Sequence, residues 1–438
     1  MSNEYMGKNA KERICYWAQL LLLPIYGLSF ITPRDKNIWL FGSTFGRRFT
    51  DNPRYLYMYV NHFSKVRFGA KLPKNEETAT ELEKRLEKIR PIWISHNKET
   101  IKDLNNAGFE AYYYHSLKGV FYALRAGFYI FDNYSKDINF WQSGGATKVN
   151  LWHGTGNKPS NAQNKFDTVR HPRNGWEKFK TFPRRISDEK PSHYILEPDA
   201  GTAVSRIFGV DVSHIIHGGG FPRNDAMLSV ANDTEKKDYF YAYITDLERA
   251  LTEKLKALQE DHKIIAYLPT FSKSEDMLFK VINLEKMNDF FREHRYIFVA
   301  KPHPKSKIKA EFEKLDCSNI INVPSDVDVY AFIPYADMLV TDYSSIYTDF
   351  LLLDRPVVAF QFDREIYEQN SRGFAVNQDE YMPERVAKTG DELTEAITEV
   401  FADDKSRELR KKTRDKKFMC NDDRACERIA GAILGIRK

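Results

Sequence analysis

Two histidines stand where a proton is easily moved. In the segment Leu151-Trp152-His153-Gly154-Thr155-Gly156, His153 follows an apolar run and precedes glycines that let backbone approach closely. An imidazole in such a turn can accept a proton near neutrality, or it can simply cap the turn. In Val299-Ala-Lys301-Pro-His303-Pro-Lys305, two prolines stiffen the loop around the second histidine, with a lysine on either side. A rigid surface turn is the plainer reading. Hydroxyls and a Gly-rich turn occur in comparable places. The run 339–345 ends in Asp342-Tyr343-Ser344-Ser345, and Ile346, Phe350 and Leu353 then recur at helical spacing. One serine can be the helix N-cap, or the first N–H groups and the hydroxyls can hold an anion. His217-Gly-Gly-Gly-Phe-Pro-Arg223-Asn224-Asp225 sets glycines before an arginine, compatible with phosphate or with a turn between domains. Tyr267-Leu-Pro269-Thr270-Phe-Ser272-Lys273 adds two hydroxyls and a lysine after another apolar run.

Each segment has to be positioned by a strand ahead of it. Strand-like runs are read at 37–43, 91–97, 109–116, 127–134 and 147–155, with helical runs near 55–62 and 117–126. A second alternating series begins with the strand at 263, continues through 296, 319, 337 and 356, and is followed by helices at 391–401 and 425–436. Alternation of this kind predicts parallel α/β units, and open α/β sheets bind ligands at the carboxyl ends of their strands. Two doubly wound domains are expected, 34–230 and 231–438, after an N-terminal segment 1–33. Facing each other across a cleft, they would make the arrangement called GT-B. The Asn-, Lys- and Arg-rich stretch 156–185 reads as a long basic loop or a set of short helices.

Composition narrows the chemistry. The chain of 438 residues exceeds one ordinary core, and its net charge of +5 suits an anionic substrate or lipid surface but not nucleic acid. The 4 cysteines are scattered, against a disulfide framework or zinc site. No Walker A loop, dinucleotide fingerprint, His-Glu-x-x-His or nucleophile elbow is present. Asp326, Asp328, Asp422 and Asp423 are expected on the surface, and no metal site or cofactor is expected. Residues 14–33 carry no charge except at their flanks, but Gln19, Pro24 and Gly27 argue against a straight spanning helix. The segment is expected to lie on the inner membrane face, its basic flank toward anionic headgroups. A buried helix packed on its own domain is the alternative.

In this order, the blocks NLWHGTGNKPS, GGFPRND, AYLPTF, KPHP and VTDYSSIYTDFLLLDRPVVAF resemble the CDP-glycerol glycerophosphotransferase family of teichoic-acid and capsule enzymes. The resemblance runs over about residues 30–436, including DNPRYLY and DDRACERIAGAIL. It implies a GT-B, metal-independent, membrane-associated enzyme. Such an enzyme moves glycerol phosphate or ribitol phosphate from a CDP-activated donor to a hydroxyl of a lipid-linked polymer. By matching position, it implies His153 as catalytic base and His303 as a second essential histidine near the donor pyrophosphate. It also implies substrate contacts at Gly154, Thr155, Arg223, Asn224, Asp225, Pro269, Thr270, Lys301, Asp342, Tyr343, Ser344 and Ser345. Gly156-Asn157-Lys158 departs from the Pro-Leu common after the HGT block, on the presumed acceptor side. The absence of a long extra domain favours a stand-alone transferase. Competing expectations are a nucleotide-sugar transferase on the same fold, or a non-catalytic membrane scaffold. Retention of both histidines and of 342–345 weighs against the scaffold.

Overall fold

The structure is a computed structural model that describes residues 9–66, 80–154, 164, 167–187, 193–199, 201, 203–270, 277–302, 317–370 and 377–436. His303, Thr155, Lys158, Ser272, Lys273 and Lys305 lie outside the described residues.

Two all-parallel sheets organise the chain. The first contains β1 (Asp35–Phe41), β2 (Arg90–Ser95), β3 (Ala111–Tyr113), β4 (Ala126–Phe131), β5 (Thr147–Asn150), β6 (Tyr194–Glu197) and β7 (Ile215–His217), in the order β3-β2-β1-β4-β5-β6-β7. The second contains β8 (Lys263–Tyr267), β9 (Tyr296–Ala300), β10 (Ile320–Asn322), β11 (Met338–Thr341), β12 (Val357–Phe360) and β13 (Arg385–Ala387), in the order β10-β9-β8-β11-β12-β13. The strands read as continuous apolar runs because helices cover both faces of a parallel sheet. Leu40, Phe41, Ile94, Ile130, Val299, Leu339 and Val358 are accordingly fully buried. In each sheet the winding direction reverses once, between β1 and β4 and again between β8 and β11, and a crevice opens at such a switch point. Gly127 serves the first one. A Cβ there would lie 2.7 Å from the Lys36 Cα, just where the β1–β4 register shifts.

The two halves meet through polar helices. Asp51–Phe63 is buried from Asn52 to Val60, and Pro222–Ala231 from Pro222 to Ser229. The cross-domain contacts include the buried pair of Arg54 with Glu248, at 2.7 and 3.1 Å. Asp328 lies 3.6 Å from the same guanidinium and accepts from the Thr50 hydroxyl at 2.8 Å. Asp328 is therefore not the surface residue the sequence suggests: an aspartate in a polar stretch looks solvated until folding brings Arg54 and Thr50 to it. Asp326 does stand out in solvent, paired with Arg48 at 3.1 Å. Downstream of the second sheet, the helix Ala425–Gly435 returns to pack on β7, Asp51–Phe63 and Glu81–Leu86.

The N-terminal segment forms the short helices Ala10–Ala18 and Leu23–Leu28, joined by a 3-10 turn, with Pro24 at the start of the second. Among the described residues, no helix is long and apolar enough to cross a membrane. The segment is docked by one side: Tyr26 stacks on Phe140 at 4.6 Å, Trp17 packs on Phe179 at 4.8 Å, and Ser29 is buried. Phe179 belongs to the helix Gly175–Lys180, which Phe182–Ser187 follows, so from Gly175 on the basic stretch is short helices, after turns at 167–174.

Candidate active site

Both switch points are built alike. At the first, Asp132 follows β4, is buried, and accepts from the Ser43 hydroxyl at 2.6 Å and the Thr44 N–H at 3.2 Å in the loop after β1. At the second, Asp342 follows β11 and its two carboxylate oxygens accept the Thr270 N–H at 2.8 and 2.9 Å in the loop after β8. In both, an acid at one strand's carboxyl end fixes the backbone emerging from the neighbouring strand.

His153 is oriented from the first of these. Its Nδ1 lies 3.1 Å from the Asp132 carbonyl oxygen. A carbonyl can only accept, so Nδ1 carries the proton and Nε2 presents the lone pair. The turn that delivers it is strained: Trp152 has φ 50°, in the left-handed region that bulky side chains avoid. That turn is held by its carbonyls. The Asn52 amide donates to the Trp152 oxygen at 2.7 Å, and Arg223 Nη1 donates to the His153 oxygen at 3.1 Å. Burial and the neighbouring Asp137 push the Asp132 carboxyl well above its ordinary value. Burial also pushes Asp137 up, to about 6, against three backbone N–H donors that favour its charged form.

Across the cleft, Ser345 faces this turn. A Cβ added to Gly154 would lie 3.6 Å from the Ser345 Oγ, so the backbone after His153 and the Ser344-Ser345 turn are direct neighbours. Ser345 precedes the helix Ile346–Phe350 yet makes no side-chain capping bond, so the N-cap reading does not account for its hydroxyl. Tyr343 is buried beneath the turn, stacked on Tyr367 at 4.2 Å with its hydroxyl 3.2 Å from Asp363. Pro269 and Thr270 are half-buried beside Asp342. Lys301 reaches the carbonyls of Pro324 and Ser325 at 3.3 and 3.1 Å, and Arg48 reaches the Ser325 carbonyl from the other domain at 3.2 Å.

The GGFPRND block behaves differently from its sequence-based reading. Arg223 is buried and donates to Asp51 and to Asp349, each at 2.7 Å. Asn224 donates to Asp349 at 2.9 Å, and Tyr330 donates to it at 2.6 Å. Asp225 accepts the N–H groups of Ala425 and Cys426 at 3.0 and 2.6 Å. These side chains hold the domains and the His153 turn instead of lining the cleft. The glycines pack on the tail as well: Arg428 donates to the Gly218 carbonyl at 2.6 Å and the Cys420 N–H to that of Gly219 at 3.0 Å. The Gly-rich turn itself joins β7 to the helix Pro222–Ala231. Asp132, Asn52, Asp51 and Asp349 are absent from the sequence-based list. For Asp132 a signal existed, an acid ending a buried strand just as Asp342 does. Among the described residues, no group of three or more His, Cys, Asp or Glu is placed to hold a metal ion.

The model of the CDP-Glycerol:Poly(glycerophosphate) glycerophosphotransferase family matches residues 25–435. The chain belongs to that family. This glycerophosphotransferase is 25% identical over 401 residues to the teichoic acid poly(glycerol phosphate) polymerase of Bacillus spizizenii, covering 88% of this chain and 90% of that one. It is 26% identical to the protein of the same description from Staphylococcus epidermidis, where it spans only 44% of the relative's length. The solved structure of the wall teichoic acid polymerase TagF shares its fold, at a TM-score of 0.67 and 21% identity over 96% of both chains. As a glycerophosphotransferase with two facing parallel sheets, the chain is an enzyme on a GT-B-like scaffold.

Proposed function

We propose that the protein transfers glycerol phosphate, or ribitol phosphate, from a CDP-activated donor to a hydroxyl at the end of a lipid-linked cell-envelope polymer, releasing CMP. The observation that carries the reading is the contact of the Gly154 backbone with Ser345 across the cleft. The backbone next to His153 thus lies against a hydroxyl-bearing turn at the carboxyl end of β11.

In this mechanism Ser344, Ser345 and the backbone N–H groups beside them hold the donor pyrophosphate. His153 Nε2 takes the proton of the acceptor hydroxyl as its oxygen bonds to the phosphorus bearing the alditol. The bond from that phosphorus to the bridging oxygen breaks, and CMP leaves with the electron pair. Positioning and charge stabilisation carry most of the acceleration, since the chemistry needs no covalent enzyme intermediate. His303, in the Lys-Pro-His-Pro turn after β9, is assigned to the donor phosphate or the departing CMP. Asp132 and Arg223 act through His153: one fixes its tautomer, the other its backbone.

The same reading places the enzyme on the cytoplasmic face of the membrane as a peripheral protein. Its support is the bare side of the N-terminal segment, where Leu21 and Ile31 are each 79% exposed, beside Trp176 at 61%. Basic residues Lys11, Arg13, Lys178 and Lys180 flank that surface, as an anionic bilayer favours.

The test is a donor screen with the purified protein and a lipid-linked acceptor. CMP release from CDP-glycerol or CDP-ribitol, unaffected by EDTA, is expected. Turnover confined to UDP- or CMP-sugars would replace this reading with a glycosyltransferase, and no turnover of any donor would favour a scaffold.

A further inference from the structure

The loop after β1 carries a costly conformation that the donor chemistry does not explain. Thr44, Phe45 and Gly46 are three successive left-handed residues, with φ 50°, 56° and 75°. Only the glycine adopts this freely, and the two residues with a Cβ are strained there. The fold imposes it from every side. Asp132 and Asp137 hold the amides of Thr44 and Phe45. The Gly46 carbonyl accepts from the Ser95 hydroxyl and the His96 N–H, each at 2.7 Å. A Cβ on Gly46 would lie 2.4 Å from the His96 ring.

The outcome is an aromatic ring held out at the sheet's carboxyl edge, 40% exposed. The Phe45 ring lies 6.3 Å from that of Tyr134, and the Lys136 ammonium is 5.0 Å from the first and 5.5 Å from the second. Arg170 donates to the Tyr134 hydroxyl at 3.3 Å while pairing with Asp167 at 2.8 Å. Arg47 is exposed next to Phe45. Lys136, Arg170 and Arg47 give this aromatic platform a basic character. Asp132 links it to the proposed base, accepting the Thr44 N–H with its carboxylate and the His153 Nδ1 proton with its carbonyl.

We propose that Phe45, Tyr134, Lys136 and Arg170 form the subsite for the acceptor. In this site Lys136 pairs with the phosphate that precedes the attacking hydroxyl, and the two rings lie against the C–H face of the terminal alditol. The proposal rests on the transfer reading above and adds to it which end of the acceptor is recognised. Cation and ring together suit a phosphodiester-linked polyol, which offers an anion and a carbon face side by side.

The experiment compares two synthetic acceptors with the same alkyl tail, one ending in glycerophosphoglycerol and one in neutral glycerol. The parent should prefer the phosphodiester. Lys136→Gln should raise KM for it about tenfold, one charge-assisted contact's worth, and leave KM for the neutral acceptor and for the CDP-alditol unchanged. Phe45→Gly should raise KM for both acceptors without lowering Tm, because glycine accepts the left-handed φ. Unchanged acceptor KM in both variants overturns the subsite, as does an equal effect of Lys136→Gln on the neutral acceptor or a rise in donor KM. If the parent releases no CMP from either CDP-alditol, the transfer reading fails instead, and the screen identifies that separately.

Discussion

His153 and Asp225 show how one side chain's partners decide its role. If His153 is the base, His153→Ala should cut kcat by roughly 10²–10⁴-fold, while calorimetric affinity for the CDP-alditol stays near the parent's. A large loss of donor affinity would move His153 to the donor side. Asp225 makes a pH prediction. Burial pushes its carboxyl up to about 7 from an ordinary 3.8, in spite of its two N–H donors. The folded state thus holds this proton more tightly than the unfolded chain does. Stability from this group is fully present below about pH 4 and lost as pH rises through about 7. Between pH 5 and 8 the parent's Tm should therefore fall more steeply than that of Asp225→Asn, as followed by scanning fluorimetry; parallel slopes would refute the assignment. His153, Asp342 and the serines were legible because a strand end followed by polar residues is a local pattern. The role of Arg223 was not, since Asp51 and Asp349 reach it only through the fold.

At the scale of elements, long buried strands announced themselves, whereas β7 and β13, three residues each, are too short to show a period. The turn before Ile346–Phe350 gives the first element-level prediction. Since Ser345 makes no capping bond, replacing Ser344 and Ser345 by alanine should weaken donor binding about tenfold or more with Tm within a degree or two of the parent. A large drop in Tm would return these serines to a structural role. The N-terminal helices give the second. Deleting 1–33 would strip Tyr26 from Phe140 and Ser29 from the Gly144 N–H, so solubility and folding would change together. Substituting the outward Leu21 and Ile31 by aspartate leaves those contacts intact. The double variant should lose most of its co-sedimentation with phosphatidylglycerol vesicles while keeping its Tm; undiminished vesicle binding would sink the membrane assignment.

For the whole molecule, the decisive feature is that charged groups are buried between the domains. Arg54, Glu248 and Asp328 lie together, all with almost no solvent access. Removing one member leaves the others uncompensated, so Arg54→Met should cost about 3–5 kcal/mol in urea unfolding, far more than the loss of an exposed pair such as Lys286 with Asp391. A cost under about 1 kcal/mol, the range of an exposed pair, would mean the two halves are not coupled through this triad. Two α/β units with parallel sheets were readable from alternation; the order of their strands was not. Which helices would be buried between the sheets was not, because Asp51–Phe63 and Pro222–Ala231 carry too many polar residues to look like interior.

The returning helix Ala425–Gly435 bears on how the protein is made. A ribosome completes β7 about 200 residues before it reaches Ile429 and Ile433, which are fully buried. At ordinary elongation rates that is an interval of roughly 10–40 s. Throughout it, the apolar patch awaiting those residues, and the Asp225 carboxyl awaiting two N–H groups, are open on the nascent chain. Translation that stalls or stops within the second domain therefore yields a first domain with an exposed sticky face, a substrate for chaperones or for aggregation, even though every strand of its own sheet has already been synthesised.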